Sequence, residues 1–255
     1  MLAVTLAAGA ASSSAQTAPK SAYYDLRYYR MRTDRTEQSR RTTEFLTRAY
    51  APAAKRAGAG PVGLFNASIA PGTPFILRIA SYPSLAAMET AREKLAGDAD
   101  YQKALADYNA NPDPGFIRME SWLLRAFDFF PAMETGPADA ARPPRIFELR
   151  TYESQNESTL REKIKMFGEG GEIGIFRACG MQPVLFGEAV VGANMPHVTY
   201  MLAFEDMAAR EKLWTVFRAN PDWRKLQTTP EYAAPGLVVN ISNSILTPLQ
   251  GSDIR

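Results

Sequence analysis

The chain has 255 residues, 46% hydrophobic and 22% charged, enough for two modest domains or one of double size. Its 29 Lys and Arg against 27 Asp and Glu leave a formal charge of +2, and no basic run exceeds Arg40-Arg41, which argues against nucleic-acid binding. A single cysteine, Cys179, excludes an intrachain disulfide and a thiolate cage, and a single histidine, His197, excludes a histidine-rich metal centre, so neither a metal nor a cofactor is expected.

Residues 1–20 are set apart as a leader. "LAVTLAAGAA", from Leu2 to Ala11, is apolar but too short to span a bilayer, and Ser13-Ser14-Ala15 follow before Gln16. The pattern fits the later part of an export signal without its positively charged start; the competing reading is a disordered Ala/Ser tail. The protein is expected to be exported, to the periplasm or beyond, if the leader is a signal, and cytoplasmic otherwise. No later segment is apolar and long enough for a membrane span.

The first unit, residues 21–127, opens with a Tyr-rich strand from Ala22 to Arg32. A helix should run from about Arg35 to Arg56, with Pro52 kinking it and Gly58 ending it. "PVGLFNASI" and "PFILRIASY" read as a hairpin joined through "APGTP", and Ser84 is a candidate N-cap for a helix through Leu95. A short helix from Asp98 and a strand from Phe116 to Phe127 complete a β-α-β-β-α-β order. Residues 128–144, Pro-rich and aperiodic, are the expected linker.

The pattern then repeats over residues 145–250, with 251–255 as a tail. A strand from Arg145 to Glu153 precedes a helix from about Asn156 to Phe167 and a glycine-interrupted continuation to Cys179. Strands from Pro183 to Val191 and His197 to Phe204, a helix from Asp206 to Phe217 and a strand from Leu237 to Leu246 follow. Tyr82 and Phe204, Tyr101 and Trp223, and Met119 and Ile241 all stand 122 residues apart, which favours duplication. Identical "AREKL" pentamers at Ala91 and Ala209 are 118 apart, about one helical turn out of step, and receive no weight.

The duplication is sharpest in "YYDLRYYRM" and "IFELRTYES". Asp25, Arg27 and Tyr29 correspond to Glu148, Arg150 and Tyr152, each row alternating with apolar residues at the period of a strand. The expected fold is α+β: two tandem ferredoxin-like domains whose antiparallel sheets pack together as a single-chain pseudo-dimeric α/β barrel. If the open sheet faces meet, both polar rows point into a shared interior.

The motifs "FELRTY", "LFGEAVVG", "HVTYMLAFED" and "NPDWRKL", with the weaker "IASYPSLAAM" in the first copy, resemble the NIPSNAP family of the dimeric α/β-barrel superfamily. The resemblance covers nearly everything after the leader and implies the pseudo-dimeric barrel. It does not by itself transfer a function.

Three functional readings stay open. In the first, a small organic ligand, anionic or aromatic, lies between the two sheets against Asp25, Arg27, Tyr29, Arg150 and Tyr152, with Glu120 and Asn240 on the last strands. Its competitor is that each acid merely satisfies its neighbouring arginine. The second is a cofactor-independent oxygenase or isomerase with His197 or Glu148 as base; His197 stands where the first copy has Phe75. The third is a non-catalytic interaction module, and a homo-oligomer is left open. "FGEGGEIG", Phe167 to Gly174, lacks the context of a phosphate loop, and its Glu169 and Glu172 would repel phosphate, so a helix break or mobile loop is expected there. Trp122, Trp214 and Trp223 are assigned to core or interface.

Overall fold

The structure is a computed structural model that describes residues 21–33, 36–136 and 145–255; the leader and residues 137–144 of the linker lie outside it. The first repeat comprises β1 (Tyr23–Arg30), α1 (Thr36–Phe45), a π-helical turn (Leu46–Tyr50), α2 (Ala51–Ala57), β2 (Val62–Ile69), β3 (Phe75–Tyr82), α3 (Leu85–Gly97), α4 (Ala99–Asn109) and β4 (Arg118–Ala126). The second comprises β5 (Ile146–Glu153), α5 (Glu157–Phe167), α6 (Glu172–Ala178), β6 (Gln182–Val191), β7 (His197–Phe204), α7 (Met207–Ala219), α8 (Pro221–Gln227) and β8 (Asn240–Pro248).

Local chemistry explains the helix ends. The Ser84 hydroxyl accepts from the Ala87 N–H at 3.1 Å, and Asp206, at the matching place, accepts from Ala209 at 2.7 Å. Asp98 and Asn220 cap α4 and α8 in the same way. The expected kink at Pro52 falls just ahead of it, as the π-helical turn, and Pro52 sits in the first turn of α2, where a missing N–H costs least. Gly58 closes α2 with φ of 105°, a conformation that favours glycine.

The two four-stranded sheets join at both edges into one closed barrel, ordered β1-β3-β2-β8-β5-β7-β6-β4. β2 pairs with β8 and β4 with β6, each seam carrying one register shift, so each repeat supplies the edge partners the other lacks. Tyr24, Leu26, Phe147 and Leu149 point into the barrel, where they pack with Phe65, Leu77, Ile79, Leu185, Met201 and Leu246. Two outer layers, one per repeat, bury the other sheet faces beneath the helices.

This arrangement reverses one expectation. The period of two places the polar rows opposite the apolar ones, but it is the apolar rows that meet in the shared interior. The polar rows face the helices, where Arg210 and Trp214 of α7 meet Glu148, and Arg78 of β3, stacked on Tyr50, meets Asp25. The linker is also not a plain spacer. Phe130, with Phe127 just ahead of the linker, joins the outer core of the second repeat, and the Glu134 N–H donates to the Val184 carbonyl at 2.8 Å.

Candidate functional site

On the outer face of β5, Glu148, Arg150 and Tyr152 form a continuous network. Glu148 is fully buried and accepts from Arg150 Nη1 at 2.8 Å, from Arg210 Nε and Nη2 at 3.0 and 2.5 Å, and from the Trp214 indole at 2.7 Å. Burial favours its neutral form, but the Arg210 hydrogen bonds, the Arg150 charge and the indole N–H outweigh it and hold its pKa below the ordinary carboxylate value. A carboxylate so engaged is an anchor and not a free base.

Arg150 is fixed from several sides. Its Nε and Nη2 donate to the Tyr152 hydroxyl at 3.2 and 3.1 Å, and its guanidinium lies over the Trp214 ring at 4.5 Å. The Tyr152 oxygen also accepts from Tyr200 at 2.7 Å. Burial opposes the Arg150 charge, yet the surrounding Tyr200, Tyr152 and Glu148 raise its pKa further, so it stays charged.

Arg150 and Tyr152 form part of the wall of a cavity of about 470 Å³ between the outer face of β5 and β8 and the helices of the second repeat. Lys163 of α5, Glu172 of α6, Trp214, Phe217 and the exposed Arg218 of α7, Trp223 of α8, Tyr232, Val238 and Ile241 are among the other lining residues. Lys163 and Glu172, 3% and 1% exposed, pair at 2.6 Å, and the Lys163 ammonium sits 4.2 Å above the Phe167 ring. Burial pushes the Glu172 carboxyl up, and Lys163 only partly offsets it.

The first repeat builds the same row differently. Asp25 accepts from Arg78 of β3 at 2.5 Å, with Arg27 at 3.6 Å, and Arg78 lies over Tyr50 at 4.5 Å. Tyr29 packs edge-on against Phe116. Arg78 stands where the second repeat has Tyr200, so the arginine that binds the acid comes from a strand in one copy and from α7, as Arg210, in the other.

The remaining predicted residues lie elsewhere. His197 and Trp122 meet on the lumen side of the barrel with ring centroids 5.0 Å apart, and His197 Nδ1 is 3.2 Å from the Thr199 hydroxyl. His197 is fully buried, and burial lowers its pKa. Glu120 accepts from Arg30 and Arg118, and Asn240 donates to Glu153. None of these residues lines the cavity, so the structure does not bring the Asp25, Arg27 and Tyr29 row, the Arg150 and Tyr152 row, Glu120 and Asn240 together into the one site between the sheets that the sequence suggested. Among the described residues, no cluster of His, Cys, Asp or Glu is placed to hold a metal ion, and no helix is long and apolar enough to cross a membrane.

The profile of the NIPSNAP family matches residues 24–131 and again 147–253. The chain belongs to the NIPSNAP family. A NIPSNAP-like domain protein from Burkholderia xenovorans is 24% identical over 42% of this chain and 88% of its own, with a TM-score of 0.37. Two solved structures overlay most of this NIPSNAP chain. A candidate monooxygenase from Lactobacillus acidophilus covers 91% of it and 98% of its own length at 12% identity and a TM-score of 0.57. An anthrone oxidase-like protein covers 91% and 93% at 8% identity and a TM-score of 0.53. At these identities the likeness is one of fold, the dimeric α/β barrel. No curated protein matches.

Four residues of the candidate site had no site role in the sequence reading: Lys163, Glu172, Arg210 and Trp214. A signal existed for one. Both "AREKL" pentamers sit on the helix that follows the central hairpin, and their arginines act on the acid of their own repeat, Arg92 electrostatically on Asp25 and Arg210 directly on Glu148. Only Arg210 bonds its acid; the exposed Arg92 adds a weak charge effect on Asp25, whose bonded partner is Arg78. Of the two expectations for the glycine segment, the helix break holds, as a packed turn between α5 and α6: a Cβ on Gly168 would fall 2.6 Å from the Phe129 ring, and one on Gly170 would fall 2.6 Å from the Met166 carbonyl. It delivers Glu172 to Lys163.

Proposed function

We propose that this protein binds a small organic molecule in the cavity between β5, β8 and the helices of the second repeat. The observation that carries the reading is the meeting of a half-open, mostly apolar space of about 470 Å³ with a rigidly held cation, Arg150. Such a space accommodates a small ligand, and the cation supplies one oriented polar contact. The barrel interior, filled by apolar side chains, does not support the ligand position expected from the sequence.

A base at Glu148 is disfavoured by its four hydrogen bonds, and a base at His197 because it packs against Trp122 and does not line the cavity. Binding is therefore placed ahead of catalysis. Thermal-shift screening of a chemically diverse library on wild type and on Ile241→Trp tests the reading. Ile241 stands at the half-open rim of the cavity, and an indole there should fill it. Stabilising compounds should lose their effect in Ile241→Trp and keep it in Met119→Trp, the matching position of the first repeat. Equal shifts in wild type and Ile241→Trp would place binding elsewhere and overturn the proposal.

A further inference from the structure

The charges around the cavity do not balance. Glu148 is shared by two guanidiniums, Arg150 and Arg210, whereas Glu172 is matched by Lys163 alone. Three buried or half-buried cations thus meet two carboxylates; Arg218, the other cation on the wall, is exposed to water and does not belong to this buried group. A buried surplus charge is unfavourable unless a counter-ion joins it, and Arg150, at 12% side-chain exposure, is largely withdrawn from water.

The hydrogen-bond count points the same way. Of the five N–H groups of Arg150, one on Nη1 goes to Glu148, and those of Nε and one on Nη2 go to Tyr152, which leaves two without an acceptor among the described residues. Lys163 donates to Glu172 and, at 3.4 Å, to the Met166 sulfur, which leaves a third N–H. Both side chains line the cavity, and Arg150 is already immobilised against Trp214, so little ordering is lost when it binds an acceptor. The surrounding wall is aromatic, with Trp214, Trp223 and Tyr232.

Resting on the ligand-binding reading above, we infer that the ligand is an organic monoanion with a flat apolar body, an aromatic or conjugated carboxylate. Its carboxylate accepts from the unused N–H groups of Arg150 and Lys163, and its body lies against the tryptophans. A single surplus cation matches one negative charge. A phosphate dianion would exceed that surplus and meet Glu172, and a cationic ligand would add to the imbalance.

The test compares three probes of one shape, 2-naphthoate, 2-naphthamide and 2-naphthylmethylamine, by calorimetry at neutral pH. Wild type should bind the acid about tenfold more tightly than the amide, the ratio that one charge-assisted hydrogen bond supplies, and the amine more weakly still. The preference for the acid should vanish in Arg150→Gln and shrink in Lys163→Met. If Arg150→Gln does not fold, the three-probe comparison on wild type decides alone. An amide or amine that binds as tightly as the acid overturns the charge assignment while leaving cavity binding intact. Failure of all three probes, with library compounds still lost in Ile241→Trp, overturns the aromatic monoanion and again leaves the cavity as the site. Failure of the library screen in that variant removes the broader reading as well.

Discussion

α4 and α8 begin at matching places and end differently. Ala99 and Pro221 lie 122 residues apart, as do the first residues of β3 and β7, α3 and α7, and β4 and β8. Yet α4 runs for 11 residues and α8 for 7. At this offset, Pro230 takes the place of Tyr108. Proline has no N–H to continue a helix, its ring opposes the carbonyl four residues back, and the residue before it is turned away from helical geometry. In the first repeat the extra turn of α4 carries Tyr108, which stacks on Phe45 of α1 at 4.6 Å and shares a 2.7 Å hydrogen bond with Thr42. In the second, α8 has already ended, and the chain that follows lines the cavity with Tyr232, Ala234, Pro235, Leu237 and Val238. The duplicated scaffold therefore carries a ring stack in one copy and the cavity-lining segment in the other.

The largest test of this comparison removes the two anchoring acids. Asp25→Ala and Glu148→Ala each leave buried guanidinium groups unpaired, and each should cost about 3–5 kcal/mol in urea unfolding. A loss below about 1 kcal/mol in either copy would show that the rows are not equivalent anchors. Next in size is Tyr108→Ala, which removes the ring stack and its hydrogen bond and should cost about 1–2 kcal/mol. Pro230→Ala should change stability less than that and extend α8 by a turn. Hydrogen exchange would show the extension as new amide protection at residues 228–231, and absence of protection would separate the cavity from the proline.

The smallest expected effect lies at the barrel end, where His197 replaces Phe75. Burial lowers the His197 pKa, so on acidification the unfolded chain takes up this proton before the folded one. The stability it contributes is thus present above the ordinary value of 6.5 and lost as pH falls through the lowered one. His197→Phe should flatten the fall in stability between about pH 7 and pH 5. Glu172 acts with the opposite sign, because a raised carboxyl pKa favours the fold at low pH and loses that advantage as pH rises. Its contribution cancels when wild type and His197→Phe are compared at each pH.

Much of the architecture was legible because it rests on local rules. The period of two in "FELRTY", the capping residue Ser84, the helix starts at Asp98 and Asn156, and the constant offset of 122 carried the element order, the duplication and the pseudo-dimeric barrel. The family resemblance followed from the same segments. The polar row was read correctly as a repeated device, yet it was placed on the wrong side of the sheet. Alternation assigns residues to two faces without saying which face meets the other sheet and which meets the helices.

The site depended on contacts that no sequence interval encodes. Lys163 and Glu172 come from two helices brought together by the packed glycine turn, and Arg210 reaches Glu148 from 62 residues away. Sequence by itself determined the strands, their doubled acid-arginine-tyrosine rows and, through Pro230, the early end of α8, because backbone geometry and side-chain period are properties of neighbouring residues. Only the tertiary structure decided that the apolar rows close the barrel, that Glu148 is consumed as an anchor, and that Arg150 keeps unused donors beside a cavity. Those outcomes turn on which surfaces are buried against each other, and burial is settled by the whole chain at once.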